Sequence, residues 1–180
     1  IGGIFVSDRI EDYYINPFEL GYGHFMKFDH DFIGREALEK MNPAEQRRKV
    51  TFEWNTDDVA TIMASIFKPE GENYKFIDLP VSKFGFHQYD SISANGAAKG
   101  VAVYTGFDYN FRAMLSTGVV DPSVAIGDDV TLVWGEPNGG TRKVTVERHK
   151  QFEVRAKVAV APYSRVAREE YGANRYSTGS

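Results

Sequence analysis

The chain has four histidines, His24, His30, His87 and His149, and one of them stands in a charged setting. His30 lies between Asp29 and Asp31. Adjacent carboxylates favour the imidazolium form, so this corner can carry a positive charge at neutral pH. A solvent-facing corner histidine is the plain alternative. Five residues on, Arg35 has a guanidinium fork suited to carboxylates. Glu39, one helical turn later, is its ordinary surface partner. Tyr22 and Phe25 offer flat rings that can stack on an aromatic ligand or pack in a core. Asp8, Glu11 and Asp12 bring three carboxylates together, a composition that serves metal binding or acid–base work. No histidine is near enough in sequence to complete such a site, and a solvated acidic turn is the simpler reading. A second aromatic run, Tyr104, Phe107, Tyr109 and Phe111, has few basic neighbours. It reads as a hairpin that packs on another domain, not as a nucleic-acid stacking platform.

Several chemistries are excluded by pattern. No histidine pair has the i,i+4 spacing of a zinc helix, and none neighbours a serine in a nucleophile turn. No GxGxxG or Walker-type loop is present, and Gly139-Gly140 reads as a hairpin apex. A metal site built by this chain alone is therefore not expected. Cysteine is absent, which removes disulfides, thiolate ligands and cysteine nucleophiles, and an intracellular, cytoplasmic setting is the expectation. A net charge of −4 gives no basic surplus for nucleic acid. Nothing approaches the roughly 18 apolar residues of a membrane helix, and Ile1-Gly2-Gly3 lacks the features of a signal peptide.

Two kinds of element must hold these side chains. Around His30, an Asn16-Pro17 turn precedes Phe25, Lys27 and Asp29 alternating with Met26, Phe28 and His30, a pattern that predicts a half-buried strand. A short helix follows, with Asp31 as N-cap, Ile33, Ala37, Leu38 and Met41 as its apolar stripe, a Glu36–Lys40 pair, and Pro43 as the stop. Lys49–Trp54 then reads as a strand. Thr56 is the expected N-cap of a helix with Asp57 and Asp58 in its first turn and Val59, Ile62, Met63 and Ile66 on one face. From Leu79 onward short strands recur: 81–89, with Phe84 and Phe86 on one face, then 99–106, 111–120, 130–134, 143–147 and 152–160. Between them lie Ala94-Asn95-Gly96, the 122–127 turn and Pro137-Asn138-Gly139-Gly140. Six short strands punctuated in this way predict a small antiparallel barrel or sandwich. The polar tail, 161–180, shows no period and is expected to lie over a neighbouring surface or to be partly disordered.

Pro17, Glu19, Gly21, Gly23 and Lys27, followed by the run Asp31-Phe32-Ile33-Gly34-Arg35-Glu36-Ala37-Leu38-Glu39, form one joint pattern. It resembles the folate-dependent aminomethyltransferase family, whose best-known member is the T-protein of the glycine cleavage system. The wording RIEDYY, GYGHFMKFDHDF and APYSRVAREEYGANRY is more similar to a side branch, the tetrahydrofolate-dependent O-demethylases of methoxylated aromatic acids such as vanillate and syringate.

The resemblance implies an α+β fold: residues 1–46 as the end of a folate-binding domain, 47–165 as a six-stranded antiparallel barrel with its lead-in helix, and 166–180 as a tail. It implies tetrahydrofolate as cofactor and a methoxylated aromatic acid as substrate, with methyl transfer to N5. It places His30 near the folate and implies Tyr163 and Arg165 as an aromatic-basic lid, and Tyr22, Phe25 and Arg35 join them as candidate cofactor-binding residues by their own chemistry. His30 occupies a place where the family has a basic residue, so its role here departs from the pattern. The family's folate-binding carboxylates correspond to positions upstream of Ile1, so no catalytic residue is assigned and this chain alone is expected to be inactive. Its implied partner is the N-terminal part of the same enzyme. Two other readings stay open: the glycine-cleavage aminomethyltransferase, served by a lipoylated carrier protein, and a barrel module that binds without turnover.

Overall fold

A computed structural model describes residues 2–82, 88–140, 144 and 146–174. The chain opens with a two-residue strand β1 (Gly2–Gly3), and the helix α1 (Arg35–Glu39) follows. Next come β2 (Arg48–Trp54) and α2 (Thr56–Ser65). Strands β3 (Gln88–Ala94), β4 (Ala97–Asp108), β5 (Ala113–Val120), β6 (Asp129–Trp134) and β7 (Phe152–Val160) lead to the final helix α3 (Arg165–Asn174).

Strands β2 to β7 pair antiparallel in the order β3-β4-β5-β2-β7-β6, and β6 returns to β3 through Ile92–Leu132 and Ser93–Thr131. The sheet is thus a closed six-stranded antiparallel barrel, the fold class expected from the strand spacing. Closure removes free edges, which a small sheet otherwise exposes. Alternation decides which side chains go inside: Val154, Ala156 and Val158 of β7 point in while their neighbours are exposed. With Val50, Phe52, Ile92 and Leu132 they build the core, where Trp54 and Trp134 meet edge to face at 5.3 Å. The polar tips inside the barrel are satisfied in a chain, since Trp54 Nε1 donates to Ser116 Oγ at 2.8 Å and Ser116 shares a 2.7 Å bond with Thr105.

Local chemistry accounts for the turns. Asn95 and Gly96 both have positive φ, as a two-residue hairpin between right-twisted strands requires. Gly118 is needed for a close approach: a Cβ there would lie 2.8 Å from the Phe52 ring and 2.9 Å from Ala102 Cα.

Several expectations change. The sixth barrel strand is β2 and not 143–147; residues 144, 146 and 147 lie in turn and irregular backbone, while 143 and 145 fall outside the described residues. The predicted strand 81–89 is displaced: Val81 makes a bridge to Gly106, 83–87 (with Phe84, Phe86 and His87) lie outside the described residues, and β3 runs on to the hairpin at Ala94. Asn55, not Thr56, caps α2, its Oδ1 accepting from the N–H groups of Asp57 and Asp58 at 3.1 Å. The tail is not patternless, because α3 occupies 165–174, with Ser164 Oγ accepting from Ala167 N–H. Among the described residues no helix is long and apolar enough to cross a membrane.

Candidate functional site

The segment from Asn16 to Met41 is built from turns. Asn16 Oδ1 accepts from the Glu19 N–H at 3.0 Å, and Glu19 Oε2 accepts from the Asn16 N–H at 3.0 Å. This is the reciprocal bonding of a capping box, used here to close a turn. Leu20 N–H to Asn16 O (3.0 Å), Gly21 N–H to Phe18 O (2.9 Å) and Tyr22 N–H to Pro17 O (2.8 Å) complete it. Gly21, at φ +80°, lets the chain leave the turn. A single 3₁₀ turn at Gly23–Phe25 follows. The predicted strand over Phe25–His30 is absent, and among the described residues no strand pairs with this stretch.

Asp31 does not cap α1 either. Gly34, at φ +92°, takes the N-cap position, and Asp31 instead accepts from Arg35 Nη1 at 3.1 Å. The helix has five residues, and Ile33 and Ala37 of its predicted apolar stripe are exposed. The Glu36–Lys40 pair forms at 3.9 Å.

Of the six candidate site residues, the structure brings together four, as two pairs. Tyr22 and Phe25 lie 6.2 Å apart, ring edge to face, and are 53% and 55% exposed. The His24 ring tilts over Phe25 at 3.9 Å. Arg35 Nη1 donates to the His30 carbonyl at 3.2 Å, while its Nε donates to Glu39 at 2.9 Å. His30 Nδ1 meets Asp29 at 2.8 Å, a hydrogen bond that holds the Asp29 carboxyl below the usual range. An open groove of ≈ 650 Å³ runs over Asp31, Phe32, Gly34, Arg35 and Lys40.

Tyr163 and Arg165 sit on the barrel side. Tyr163 donates its hydroxyl to Glu53 Oε2 at 2.8 Å and meets Phe111 edge-on at 4.9 Å. Burial, and then the Glu53 carboxylate, push the phenol pKa up. Arg165 pairs with Glu169 at 2.9 Å on the exposed face of α3. Arg168 fixes the turn before the helix by donating to the carbonyls of Pro162 and Tyr163. The contacts of Tyr163 and Arg165 thus all lie outside 16–41. The acidic cluster near the start is a turn: Ser7 Oγ donates to Asp12 at 2.5 Å, and Arg9 lies within 4.0 Å of Glu11 and Asp12.

Sequence reasoning passed over two features. Arg47 gathers the turn: it donates to Glu19 Oε1 at 2.5 Å, to Tyr14 O at 2.9 Å and to Asp12 O at 3.4 Å. The second feature is a buried ionic cluster at one end of the barrel. Lys75, fully buried, pairs with Glu136 at 2.7 Å and lies 5.1 Å over the Trp134 ring. Glu136 Oε1 also accepts from Gly3 N–H at 3.1 Å, which ties β1 to the barrel. His149 Nδ1 lies 2.8 Å from Glu147 O, and its Nε2 accepts from Glu136 N–H at 3.0 Å. Burial alone would raise the Glu136 pKa, but the Lys75 bond and charge outweigh it and the net shift is downward. At nearby Asp90 the compensation is too weak. Burial pushes its carboxyl up to about 7, against a hydrogen bond from Gln88 and the Lys75 charge. Only sequence separation hides this cluster, since Lys75, Asp90, Glu136 and His149 share no local pattern. Among the described residues no group of three or more histidines and carboxylates is arranged to hold a metal ion.

A closed antiparallel barrel carrying a glycine- and aromatic-rich turn segment is the class of molecule that fold and site define. No family model matches the chain. Curated relatives do. It is 44% identical over 172 residues to the syringate O-demethylase of Sphingobium sp. (strain NBRC 103272 / SYK-6), covering 95% of this chain and 37% of that protein. It is also 32% identical over 168 residues to the sesamin methylene transferase of Sinomonas sp. (strain No.22), covering 86% of this chain and 37% of that protein. The chain is thus similar to one stretch of each of these proteins, and it spans 37% of their length.

Proposed function

We propose that this chain is the barrel-bearing part of a cytoplasmic one-carbon transferase that moves the methyl group of a methoxylated aromatic acid onto N5 of tetrahydrofolate. The observation that carries the reading is the 44% identity with a syringate O-demethylase along 95% of the chain. The local geometry fits such a coenzyme. Tyr22 and Phe25 leave ring faces half open to solvent, as a flat pterin needs. Arg35 and Lys40 line an open groove, where their positive charges suit an acidic glutamate tail, and Arg35 donates to the His30 carbonyl beside it. Arg35 would have to share or release Glu39 to take part. Bound there, tetrahydrofolate supplies the nucleophilic nitrogen that accepts the methyl group. The chain's own part is to hold that ring in place and keep water from one face, so that positioning does most of the work. For an aryl methyl ether, the C–O bond would break as the bond from carbon to N5 forms, and the proton that N5 gives up would balance the one the departing phenolate takes.

Six large apolar side chains within the first 33 residues are exposed: Val6, Ile10, Tyr14, Tyr22, Phe25 and Ile33. A surface of that kind favours a macromolecular partner, and we assign it to the remainder of a relative-length polypeptide. The experiment is a turnover assay of the full-length protein with syringate or vanillate plus tetrahydrofolate, following methyl-tetrahydrofolate. Ammonia release that depends on a lipoylated carrier would favour the glycine-cleavage reading instead. No saturable tetrahydrofolate binding would remove both enzyme readings and leave a binding module. His30→Ala and Arg35→Ala should each weaken tetrahydrofolate affinity with little change in Tm, because the His30 side chain is exposed and the partly buried Arg35 bonds, among the described residues, only within its own corner. Unchanged affinity in both variants would return them to the surface.

A further inference from the structure

The segment that carries Tyr22, Phe25 and His30 is fastened to the barrel in one place. Among the described residues, every hydrogen bond and ion pair joining residues 12–41 to the chain from Gln46 onward runs through Arg47 or through the Asn16–Gln46 side-chain bond at 2.9 Å. Glu19 is the acceptor at the centre. It is 5% exposed, binds the Arg47 fork with both oxygens (2.5 and 3.4 Å), and also closes the Asn16 turn. Arg47 immediately precedes β2, whose register against β5 and β7 is set by eleven paired positions in all, so the guanidinium stands on the barrel's rigid wall. The path from Glu19 to the rings is short. The turn it closes delivers Tyr22 through the Tyr22 N–H to Pro17 O bond, and Tyr22 O accepts from Phe25 N–H at 2.9 Å.

We propose that Glu19 and Arg47 are positioning residues: their ion pair sets the Tyr22–Phe25 wall in one place relative to the barrel, and the affinity for the coenzyme depends on it. The identity of the coenzyme rests on the preceding reading, but the latch does not. A buried carboxylate with a bidentate partner is demanding in geometry, since removing either half leaves a buried charge uncompensated. A surface pair of the same length could be deleted with little effect. Lysine at position 47 would keep the charge and lose the fork that spans Glu19 and the Tyr14 carbonyl.

Two measurements test this. In the 180-residue chain, amide hydrogen exchange is compared between wild type, Glu19→Gln and Arg47→Lys. Amides of 16–25 should exchange at least about tenfold faster in Glu19→Gln, and by a smaller factor in Arg47→Lys, while those of β2 and β5 keep wild-type rates. In the full-length protein, tetrahydrofolate affinity should fall about tenfold or more in Glu19→Gln at unchanged Tm, since small misplacements of a binding wall are costly. Wild-type exchange at 16–25 in both variants overturns the latch. Faster exchange with unchanged affinity overturns the positioning role. If the wild-type full-length protein fails to bind tetrahydrofolate, the coenzyme reading falls, and the exchange experiment alone decides whether the latch stands.

Discussion

Replacing Asp90 by asparagine tests the account of the barrel's charged end at the point where it is most exposed to failure. Asp90 lies on β3 at 1% exposure. Gln88 Nε2 donates to its Oδ2 at 2.9 Å, and its Oδ1 has no hydrogen-bond partner among the described residues. The charges that act on it are Lys75, which favours the carboxylate, and Glu136, which opposes it. Burial dominates and lifts the folded-state pKa from 3.8 to about 7. The folded chain therefore holds this proton more tightly than the unfolded chain. The stability it contributes is complete below pH 3.8 and is lost as pH rises through about 7. At about 1.4 kcal/mol per pH unit, the loss above pH 7 is at most about 4 kcal/mol, and water reaching the site lowers that ceiling. Asp90→Asn keeps the shape and the acceptor for Gln88 while removing the ionisation. Urea unfolding of both proteins from pH 4 to 9 should give equal stability near pH 4, a widening gap in favour of the variant up to about pH 7, and a plateau of about 2–4 kcal/mol beyond. Taking the difference between the two proteins cancels the titration of every other group. Parallel profiles would refute the reasoning, and so would a variant that is less stable at pH 8, because Asp90 would then be a carboxylate held by Lys75.

Other expectations follow from single contacts. Asp58→Asn should cost about 1–2 kcal/mol at pH 7, because Asp58 accepts from the Arg155 backbone N–H at 2.8 Å and from its guanidinium at 2.7 and 3.0 Å, while solvent screens the exposed arginine. The Arg155 bond holds the Asp58 pKa below 3.8, so this stabilisation is present above that pH and fades as pH falls through the folded pKa; thermal melts at pH 7 and pH 2 should show the difference shrinking. Asn55→Ala should destabilise by about 1 kcal/mol through loss of the α2 cap, whereas Thr56→Ala should change stability by no more than about 0.5 kcal/mol; chemical denaturation separates the two. Gly118→Ala should cost about 3 kcal/mol or prevent folding, since the added carbon meets the Val101 carbonyl and the Phe52 ring, and soluble yield with far-UV circular dichroism reads the outcome.

Much of the barrel was legible because its rules are local. The Asn95-Gly96 apex and the period-two alternation of 152–160 each state their own structure. What failed was membership. Lys49–Trp54 reads as a strand as readily as 143–147 does, and only closure through β5 and β7 shows which one the barrel takes. The cap of α2 was misread by one residue because Asn55 and Thr56 are both good caps, and the choice depends on which side chain reaches back to the first free N–H groups. The helix over 165–174 was missed because its sequence, RVAREEYGAN, is low in overall hydrophobicity and offers only Val166, Ala167, Tyr171 and Ala173 as apolar positions to read.

The site was harder for a different reason. The alternation at Phe25–His30 describes two faces, but a strand also needs a neighbour to take its backbone bonds, and among the described residues no strand pairs with this stretch. The same limit governs Glu19. Its place in the Pro17-x-Glu19-x-Gly21 pattern is visible in the sequence, yet its work depends on Arg47, 28 residues away and at the threshold of β2. A carboxylate in a glycine-spaced loop looks like a ligand-facing group until a half-buried guanidinium is found holding both its oxygens. Motif residues of this kind divide into those that are spent within the protein and those left open to a ligand. Glu19 belongs to the first set by its burial, and we propose Tyr22 and Phe25, which are exposed, for the second. Binding at the wall and integrity of the latch should therefore respond differently to Tyr22→Ala and Glu19→Gln, the first leaving the exchange of the Asn16–Glu19 turn intact while the second loosens it.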